Sequence, residues 1–227
     1  MKNQLSIWSI LVMAGLLFCA CEKDNLKEPT STLTGRIVYQ GQPVGVRSAG
    51  VQFELWQRGY QLFTKIPLNI KQDGTFSATL FDGNYKLVRA RGAGPWADNT
   101  DSIDVQVQGS ANLDVPVDPY FIIKSETFTK NATAVTGTFQ LQSVNTTRTL
   151  ELARIYIGPN LIVDQNNNSA NAQILAAAIP NLAQPVTLNV TIPATLANES
   201  YIYARIGVKT TGVAELLYTM PQKIQLK

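Results

Sequence analysis

Apolar and polar side chains alternate in short segments along the first half of the chain, and this period of two predicts β-strands. Residues 51–56 show it most clearly, because the odd-numbered positions are all apolar. Asp73-Gly74 and Asp82-Gly83 predict hairpin turns, since glycine accepts the positive φ that tight turns need. Pro116 indicates an edge strand or a strand end, because proline has no N–H to donate. Strands are predicted at residues 33–39, 51–56, 75–80, 84–88, 103–107 and 112–117.

The alternation continues after Asp118-Pro119, the pair at which we predict the boundary between two domains. In residues 202–208 apolar positions alternate with others, so Arg205 is expected to face outward. Strands that each bury one face build sandwiches of two antiparallel sheets. The sequence therefore predicts an all-β protein, with one β-sandwich over residues 32–118 and another over residues 119–227. Strands of the second domain are predicted at residues 120–123, 139–141, 150–157, 186–192, 202–208 and 216–226.

One stretch of the second half departs from this pattern. Residues 164–168 are rich in asparagine and predict a loop. The alanine-rich residues 172–178 predict a short helix, which Asn168 or Ser169 could cap and Pro180 would end.

Residues 1–20 have the pattern of an export signal. Lys2 supplies a positive charge, and the apolar stretch at residues 5–18 is too short for a stable membrane span. The segment ends in Phe18-Cys19-Ala20-Cys21. This resembles the bacterial lipobox, in which a small residue precedes the cysteine that becomes lipidated. The resemblance implies a signal peptide over residues 1–20 and a lipid on Cys21.

Phe18 occupies the position at which the lipobox usually has leucine. Cys19 is a poorer lipidation candidate than Cys21, because the residue before it, Phe18, is bulky. The alternative is an ordinary cleaved signal peptide with incidental cysteines. Residues 21–31 are charged and unpatterned, which predicts a flexible tether. The acidic stretch behind Cys21 resembles the surface-export signal of Bacteroides-type lipoproteins. We therefore expect a lipid-anchored protein of the outer membrane, exposed at the cell surface.

The amino-acid composition argues against several classes of function. The net charge of +3 comes without a basic run, so a nucleic-acid partner is not expected. The chain has no histidine, which is the commonest general base and metal ligand. Its two cysteines, Cys19 and Cys21, both lie in the N-terminal segment, so the body has no thiol nucleophile and no disulfide. No cofactor is expected.

The acidic residues do not form a recognisable catalytic pair. Glycoside hydrolysis needs two carboxylates at a defined separation. Asp73 and Asp82 precede glycines in predicted turns, while Asp104 and Asp114 occupy outward strand positions. Residues 98–101 offer oxygen ligands of the kind that Ca²⁺ prefers, and the alternative is that they form a polar loop between strands. We assign no catalytic residue and no metal ligand.

The loop at residues 92–96 is the most unusual segment, because two glycines and a proline give it a specified shape before Trp96. One hypothesis is that Trp96 contacts a sugar or a protein partner, with hydrogen bonds from Arg91, Asp98 and Asn99. The alternative is that Trp96 plugs the end of the sandwich or the seam between the domains.

Two further features bear on surface chemistry. Trp56, Tyr60 and Phe63 are expected to pack in the core or along an edge. Residues 101–103 match the short acceptor pattern for O-glycosylation in Bacteroides-type envelope proteins, which makes Ser102 a candidate acceptor.

Several segments carry a family resemblance. The first domain resembles the prealbumin-like modules found beside carboxypeptidases, at residues 33–38, 73–77 and 83–87. The mature chain as a whole resembles a family of Bacteroides-type lipoproteins encoded near polysaccharide-uptake systems, through Cys21 with its acidic tether, residues 89–96 and residues 115–120. This implies a transthyretin-like domain followed by an immunoglobulin-like domain. It carries over no catalytic or ligand residues.

Three functions from different classes follow, of which the third is a hydrolase with an unfamiliar site. The first is a non-enzymatic accessory of a polysaccharide-uptake system, either glycan-binding or a scaffold. The second is a structural or adhesion protein, such as a surface-fibre subunit. Exposed aromatic rings beside polar side chains would favour the first, and a long unpaired edge strand would favour the second.

Overall fold

The computed structural model describes residues 27–59 and 63–227. The predicted signal peptide, Cys21 and Tyr60 lie outside these residues. Within the described ranges the chain forms sixteen β-strands, one short 3-10 helix and no α-helix. No helix in this part of the chain is long and apolar enough to cross a membrane.

The first domain has eight strands in two facing sheets: β1 (Ser31–Tyr39), β2 (Gln42–Pro43), β3 (Gln52–Trp56), β4 (Lys65–Asn69), β5 (Thr75–Leu80), β6 (Gly83–Arg89), β7 (Ile103–Val107) and β8 (Ser110–Pro116). In the first sheet β1 pairs in parallel with β8 on one side and antiparallel with β5 and β2 on the other. The second sheet has the antiparallel order β4-β3-β6-β7. Pro116 is the last residue of β8, as predicted for a strand end.

One apolar core fills the space between these two sheets. Strand β3 buries its odd-numbered residues, as the alternation predicts. A tight turn forms at Asp73-Gly74, with Gly74 at φ 79° and the Asp73 carboxylate accepting a hydrogen bond from the Thr75 N–H at 3.0 Å. The predicted hairpins at Asp73-Gly74 and Asp82-Gly83 are wrong, because β5 belongs to one sheet and its chain neighbours β4 and β6 belong to the other. Among the fully buried side chains of this core are Leu33, Ile37, Phe53, Leu55, Leu68 and Leu87.

The second domain is also built from two facing sheets, one of order β13-β10-β9 and one of order β12-β11-β14, with β15 and β16 both pairing with β14. Both domains are β-sandwiches, so the predicted all-β, two-domain fold is confirmed. The strands are β9 (Phe121–Lys130), β10 (Ala134–Ser143), β11 (Leu150–Gly158), β12 (Ala170–Leu175), β13 (Val186–Thr191), β14 (Tyr201–Thr210), β15 (Leu217–Tyr218) and β16 (Gln222–Gln225).

The predicted helix at residues 172–178 is wrong. Its first half belongs to β12, which pairs antiparallel with β11, and only Ala176–Ala178 forms a single 3-10 turn without a side-chain cap. Exposure alternates along β12, with Ala172 and Ile174 packed against the core. Pairing with the edge of β11 satisfies the backbone of this segment and outweighs the helix propensity of alanine.

The interface between the domains is centred on Arg205, which is 0% exposed. Its guanidinium lies over the Tyr218 ring, 4.5 Å from the ring centroid. Burial lowers the pKa of Arg205 to about 10, so the group remains charged at neutral pH. Its N–H groups donate to four main-chain carbonyls, Thr219 (2.6 Å) and Val163 (3.4 Å) in its own domain and Val46 (2.9 Å) and Gln72 (2.6 Å) in the first domain.

Other contacts reinforce this interface. Arg47 of the first domain forms a two-pronged ion pair with Glu215 of the second, at 2.6 and 3.0 Å. The Tyr218 N–H donates to the Gly45 carbonyl at 3.0 Å. Arg205 does lie on the outer side of its strand, but the first domain covers that face. The expectation that Arg205 faces outward to solvent is therefore wrong.

The end of the first domain that lies away from the second domain is where the N-terminal segment enters. The Ser31 hydroxyl, at the start of β1, donates to the Asp82 carboxylate at 2.5 Å, and the Gly109 N–H donates to the same carboxylate at 2.8 Å. These contacts place the β5–β6 and β7–β8 turns beside the predicted tether. Strand β3 ends with Trp56 near this end, because Gly83 packs against the neighbouring Gln57.

Candidate functional site

The Trp96 indole lies inside the first domain and is 4% exposed. It packs edge-on against Phe53, with ring centroids 6.3 Å apart and an interplanar angle of 60°. A Cβ at Gly94 would collide with the indole, so the glycine is needed to seat the ring. A buried ring offers no face to a sugar or a partner. The hypothesis that Trp96 contacts a ligand is wrong, and the alternative of packing is correct.

The same loop also holds the connection between the domains. The Ala97 N–H donates to the Asp118 carbonyl at 2.9 Å, and the Tyr120 N–H donates to the Pro95 carbonyl at 3.3 Å. Trp96 and Pro119 form an isolated antiparallel bridge. The shape of the loop therefore serves to join core and linker.

Arg91, Asp98 and Asn99 are exposed, but the ring that they were expected to assist is not. Asp98 accepts a hydrogen bond from the Gly92 N–H at 2.8 Å, and Asn99 accepts one from the Asp101 N–H at 2.7 Å. These side chains close the polar loop on itself. In the described part of the chain, no group of three or more acidic, histidine or cysteine side chains could hold a metal ion.

A more promising arrangement lies on the outer face of the second sheet. The register of β4, β3, β6 and β7 aligns four side chains in one row across the sheet, namely Lys65, Trp56, Lys86 and Asp104. Trp56 thus has a lysine on each side. This face is not covered by the other sheet or by the second domain.

The Trp56 indole is held in one orientation by Glu54, which precedes it by two residues on the same face of β3. The Glu54 carboxylate accepts a hydrogen bond from Trp56 Nε1 at 3.1 Å and forms an ion pair with Lys65 at 2.6 Å. The hydrogen bond from Lys65 lowers the pKa of Glu54. Because the ring nitrogen already donates a hydrogen bond to Glu54, the indole presents its apolar surface to a ligand.

Phe63 adds a second aromatic ring. It is 53% exposed, and its ring centroid lies 5.0 Å from that of Trp56, with an interplanar angle of 43°. The two rings form one wall of an open groove with a volume of about 880 Å³. Polar and charged side chains complete its lining, among them Gln57, Arg58, Asn84, Lys86, Ser102 and Asp104.

Three carboxylates of the first domain are engaged in structural contacts. A general acid for glycoside cleavage needs a raised pKa. Here hydrogen bonds from Lys65, Arg36 and Ser31 lower the pKa values of Glu54, Asp114 and Asp82, respectively. These three carboxylates are therefore poorly suited to proton donation.

Ser102 is exposed and lines the same groove. A glycan on this residue would stand beside the aromatic wall. Its modification remains a prediction.

The sequence singled out the wrong tryptophan. Trp56 and Phe63 were expected to pack in the core or along an edge, whereas they pair on the outer face of the sheet, with Trp56 half-buried and Phe63 exposed. Trp56 occupies an outward position in the alternation of β3. An aromatic residue at an outward position was the signal that could have identified it.

Two family models match the chain. The N-terminal domain of "Protein of unknown function (DUF3823)" matches residues 31–118, and "Domain of unknown function (DUF3823_C)" matches residues 121–223. No curated protein shows significant similarity.

Solved structures cover nearly the whole described chain. A DUF3823 family protein from Bacteroides ovatus is 39% identical, covering 87% of this chain and 100% of that chain with a TM-score of 0.81. A DUF3823 family protein from Parabacteroides merdae is 29% identical, with coverages of 88% and 100% and a TM-score of 0.80. A Bacteroides uniformis protein called a "putative carbohydrate binding protein" is 21% identical, with coverages of 88% and 100% and a TM-score of 0.73.

Proposed function

Because the chain belongs to the DUF3823 family, we propose that it is a non-enzymatic, glycan-binding accessory of the cell envelope. Its relatives come from Bacteroides and Parabacteroides, in agreement with the resemblance to Bacteroides-type proteins seen in the sequence. The ligand site is the groove beside Trp56 and Phe63 in the first domain.

The aromatic wall is the observation that carries this proposal. Sugar rings have apolar faces edged by hydroxyl groups, so they suit an aromatic surface next to hydrogen-bonding side chains. Trp56 supplies a ring fixed in advance by Glu54, which reduces the conformational freedom lost on binding. Asn84 and Gln57 line the same groove and can both donate and accept hydrogen bonds.

The Bacteroides uniformis protein of the same fold is called a "putative carbohydrate binding protein", which is in line with this proposal. The lowered pKa values of Glu54, Asp82 and Asp114, together with the absence of histidine, argue against acid–base catalysis. A lipid on Cys21 would hold the protein at the outer membrane, where the family resemblance implies a role in polysaccharide uptake.

A structural role is the second candidate, and the buried Arg205 interface favours it. The Arg205 guanidinium alone binds main-chain carbonyls of both domains. A pair of domains locked in this way makes a stiff spacer. A spacer has no need for an aromatic pair on an open sheet face, which is why we prefer the glycan-binding function.

The groove can be tested with two matched phenylalanine substitutions in the unacylated chain that begins at Glu22. Phe63→Ala removes one ring of the wall, whereas Phe81→Ala removes a ring that is 43% exposed and does not line the groove. Both variants should fold like the parent, since neither side chain is in the core. A glycan array followed by calorimetric titration would measure binding.

We expect Phe63→Ala to weaken binding of any captured glycan at least about fivefold, or ~1 kcal/mol, and Phe81→Ala to leave it unchanged. Equal loss in both variants, or a captured glycan whose affinity ignores Phe63, would contradict the assignment of the groove. Turnover of the glycan would contradict the non-enzymatic part.

A further inference from the structure

We infer that the groove selects glycans bearing carboxylate or sulfate groups, a step that rests on the proposed glycan-binding function. The charged residues that line the groove are Arg58, Lys86 and Asp104. Two cations face one anion, so the lining carries a net positive charge. Sugars with acidic substituents complement such a lining, whereas neutral sugars gain nothing from it.

Arg58 is the cation free to pair with a ligand. It is exposed and follows Trp56 by two residues. Four ion pairs occur among the described residues, and none of them includes Arg58. A guanidinium presents two parallel N–H groups that match the two oxygens of a carboxylate or sulfate.

Lys86 is the second cation, and its present partner is easily displaced. Its ammonium lies 2.5 Å from the Asp104 carboxylate, but the Asp104 side chain is 81% exposed. Exposed ion pairs contribute little to stability, because water competes for both charges. An acidic group on a ligand can therefore replace Asp104 as the partner of Lys86.

The two cations differ in their backbone position relative to Trp56. Lys86 is the cross-strand neighbour of Trp56 on β6, while Arg58 lies farther along the chain past the end of β3. A sugar stacked on Trp56 would have one cation beside it across the sheet and another in the direction of the strand. Glu54 does not oppose this charge, because Lys65 already neutralises it.

Matched ligand pairs test the inference on the unacylated chain from Glu22. Oligogalacturonate and oligomannuronate are each titrated against their methyl esters, which keep the sugar and remove the charge. We expect the acidic member of at least one pair to bind more tightly, with an affinity that falls as salt is raised.

Two substitutions in the groove should act in opposite directions. Arg58→Gln should weaken binding of the acid about 2–5-fold and leave the ester unchanged, as for loss of an exposed ion pair. Asp104→Asn should tighten binding of the acid, because it removes the competing carboxylate. Both positions are exposed, so neither change should disturb the fold.

The outcomes separate this inference from the function on which it rests. An ester that binds as tightly as its acid, or an Arg58→Gln variant that weakens both alike, would overturn acidic selectivity while leaving glycan binding intact. Binding of neutral glycans alone on the array would do the same. If no glycan of either kind binds, the proposed function fails and the inference fails with it.

Discussion

Replacing Arg205 by methionine should lower the free energy of unfolding by about 3–5 kcal/mol, the range for breaking a buried charge network. Methionine is unbranched like the arginine stem, is shorter than the whole arginine side chain and has no hydrogen-bond donors. It would fill much of the space that the arginine stem occupies but could not reach the carbonyls around it.

The magnitude follows from the acceptors that would be left without a partner. Of the four carbonyls that Arg205 binds, Gln72 also accepts a hydrogen bond from the Val46 N–H at 3.1 Å. Among the described residues, the carbonyls of Val46, Val163 and Thr219 have Arg205 as their donor and no other recorded partner. A buried acceptor without a donor costs about 1–3 kcal/mol. Relief from burying the charge offsets part of this loss, which brings the expected total to the stated range.

Arg148→Met is the matched control. Arg148 also lies over a tyrosine ring, 5.7 Å from the centroid of Tyr120, and also donates to a main-chain carbonyl, that of Thr211. It is exposed, so its loss should change stability by less than about 1 kcal/mol. Arg205→Lys keeps the charge without the fork of donors and should fall between the two.

Urea unfolding followed by circular dichroism would measure these differences. Hydrogen exchange of the Tyr218 amide, which donates across the interface to Gly45, would report whether the domains separate. The parent should unfold in one transition, and Arg205→Met should show a lower midpoint with faster exchange at Tyr218. An Arg205→Met variant no less stable than Arg148→Met would refute the reasoning.

Three further predictions concern the core, the groove and the anchor. Trp96→Ala should lower the free energy of unfolding by about 3–5 kcal/mol, as for large aromatic residues removed from a core, and should leave glycan binding unchanged. A variant that stays stable but binds glycan more weakly would contradict the buried position of Trp96. The pKa of Glu54 is lowered in the folded protein. The ionised Glu54 carboxylate therefore contributes fully to folding stability above the ordinary glutamate pKa of about 4.3, and this contribution is lost as pH falls through the lower pKa of the folded state. Trp56 fluorescence and glycan binding should change in that acidic range and lose this dependence in Glu54→Gln, whereas an unchanged pH profile in that variant would contradict the role of Glu54. Cys21→Ala should release the protein from membranes and Cys19→Ala should not, as followed by incorporation of a fatty-acid analogue; incorporation that depends on Cys19 would reverse the assignment.

The candidate site shows where reasoning from the sequence stops. Trp96 drew attention because the glycines and proline before it specify a loop shape. The structure shows that this shape seats the ring in the core, with Gly94 beneath it. Trp56 stands in an ordinary strand and drew none, yet the register of three neighbouring strands surrounds it with charged side chains. The register between strands that are far apart in sequence cannot be predicted from any one segment.

The sequence by itself determined the all-β class, the two sandwiches and most strands, because burial of one face per strand leaves a local period of two. It also determined the turn at Asp73-Gly74, since positive φ is a requirement of a single residue. Only the tertiary structure decided that residues 170–175 form a strand, because the edge of β11 was available to pair with them. Only the tertiary structure decided that Arg205 is buried while Trp56 is not. Both residues occupy outward strand positions, and which outer face a second domain covers depends on long-range packing that local periodicity does not record.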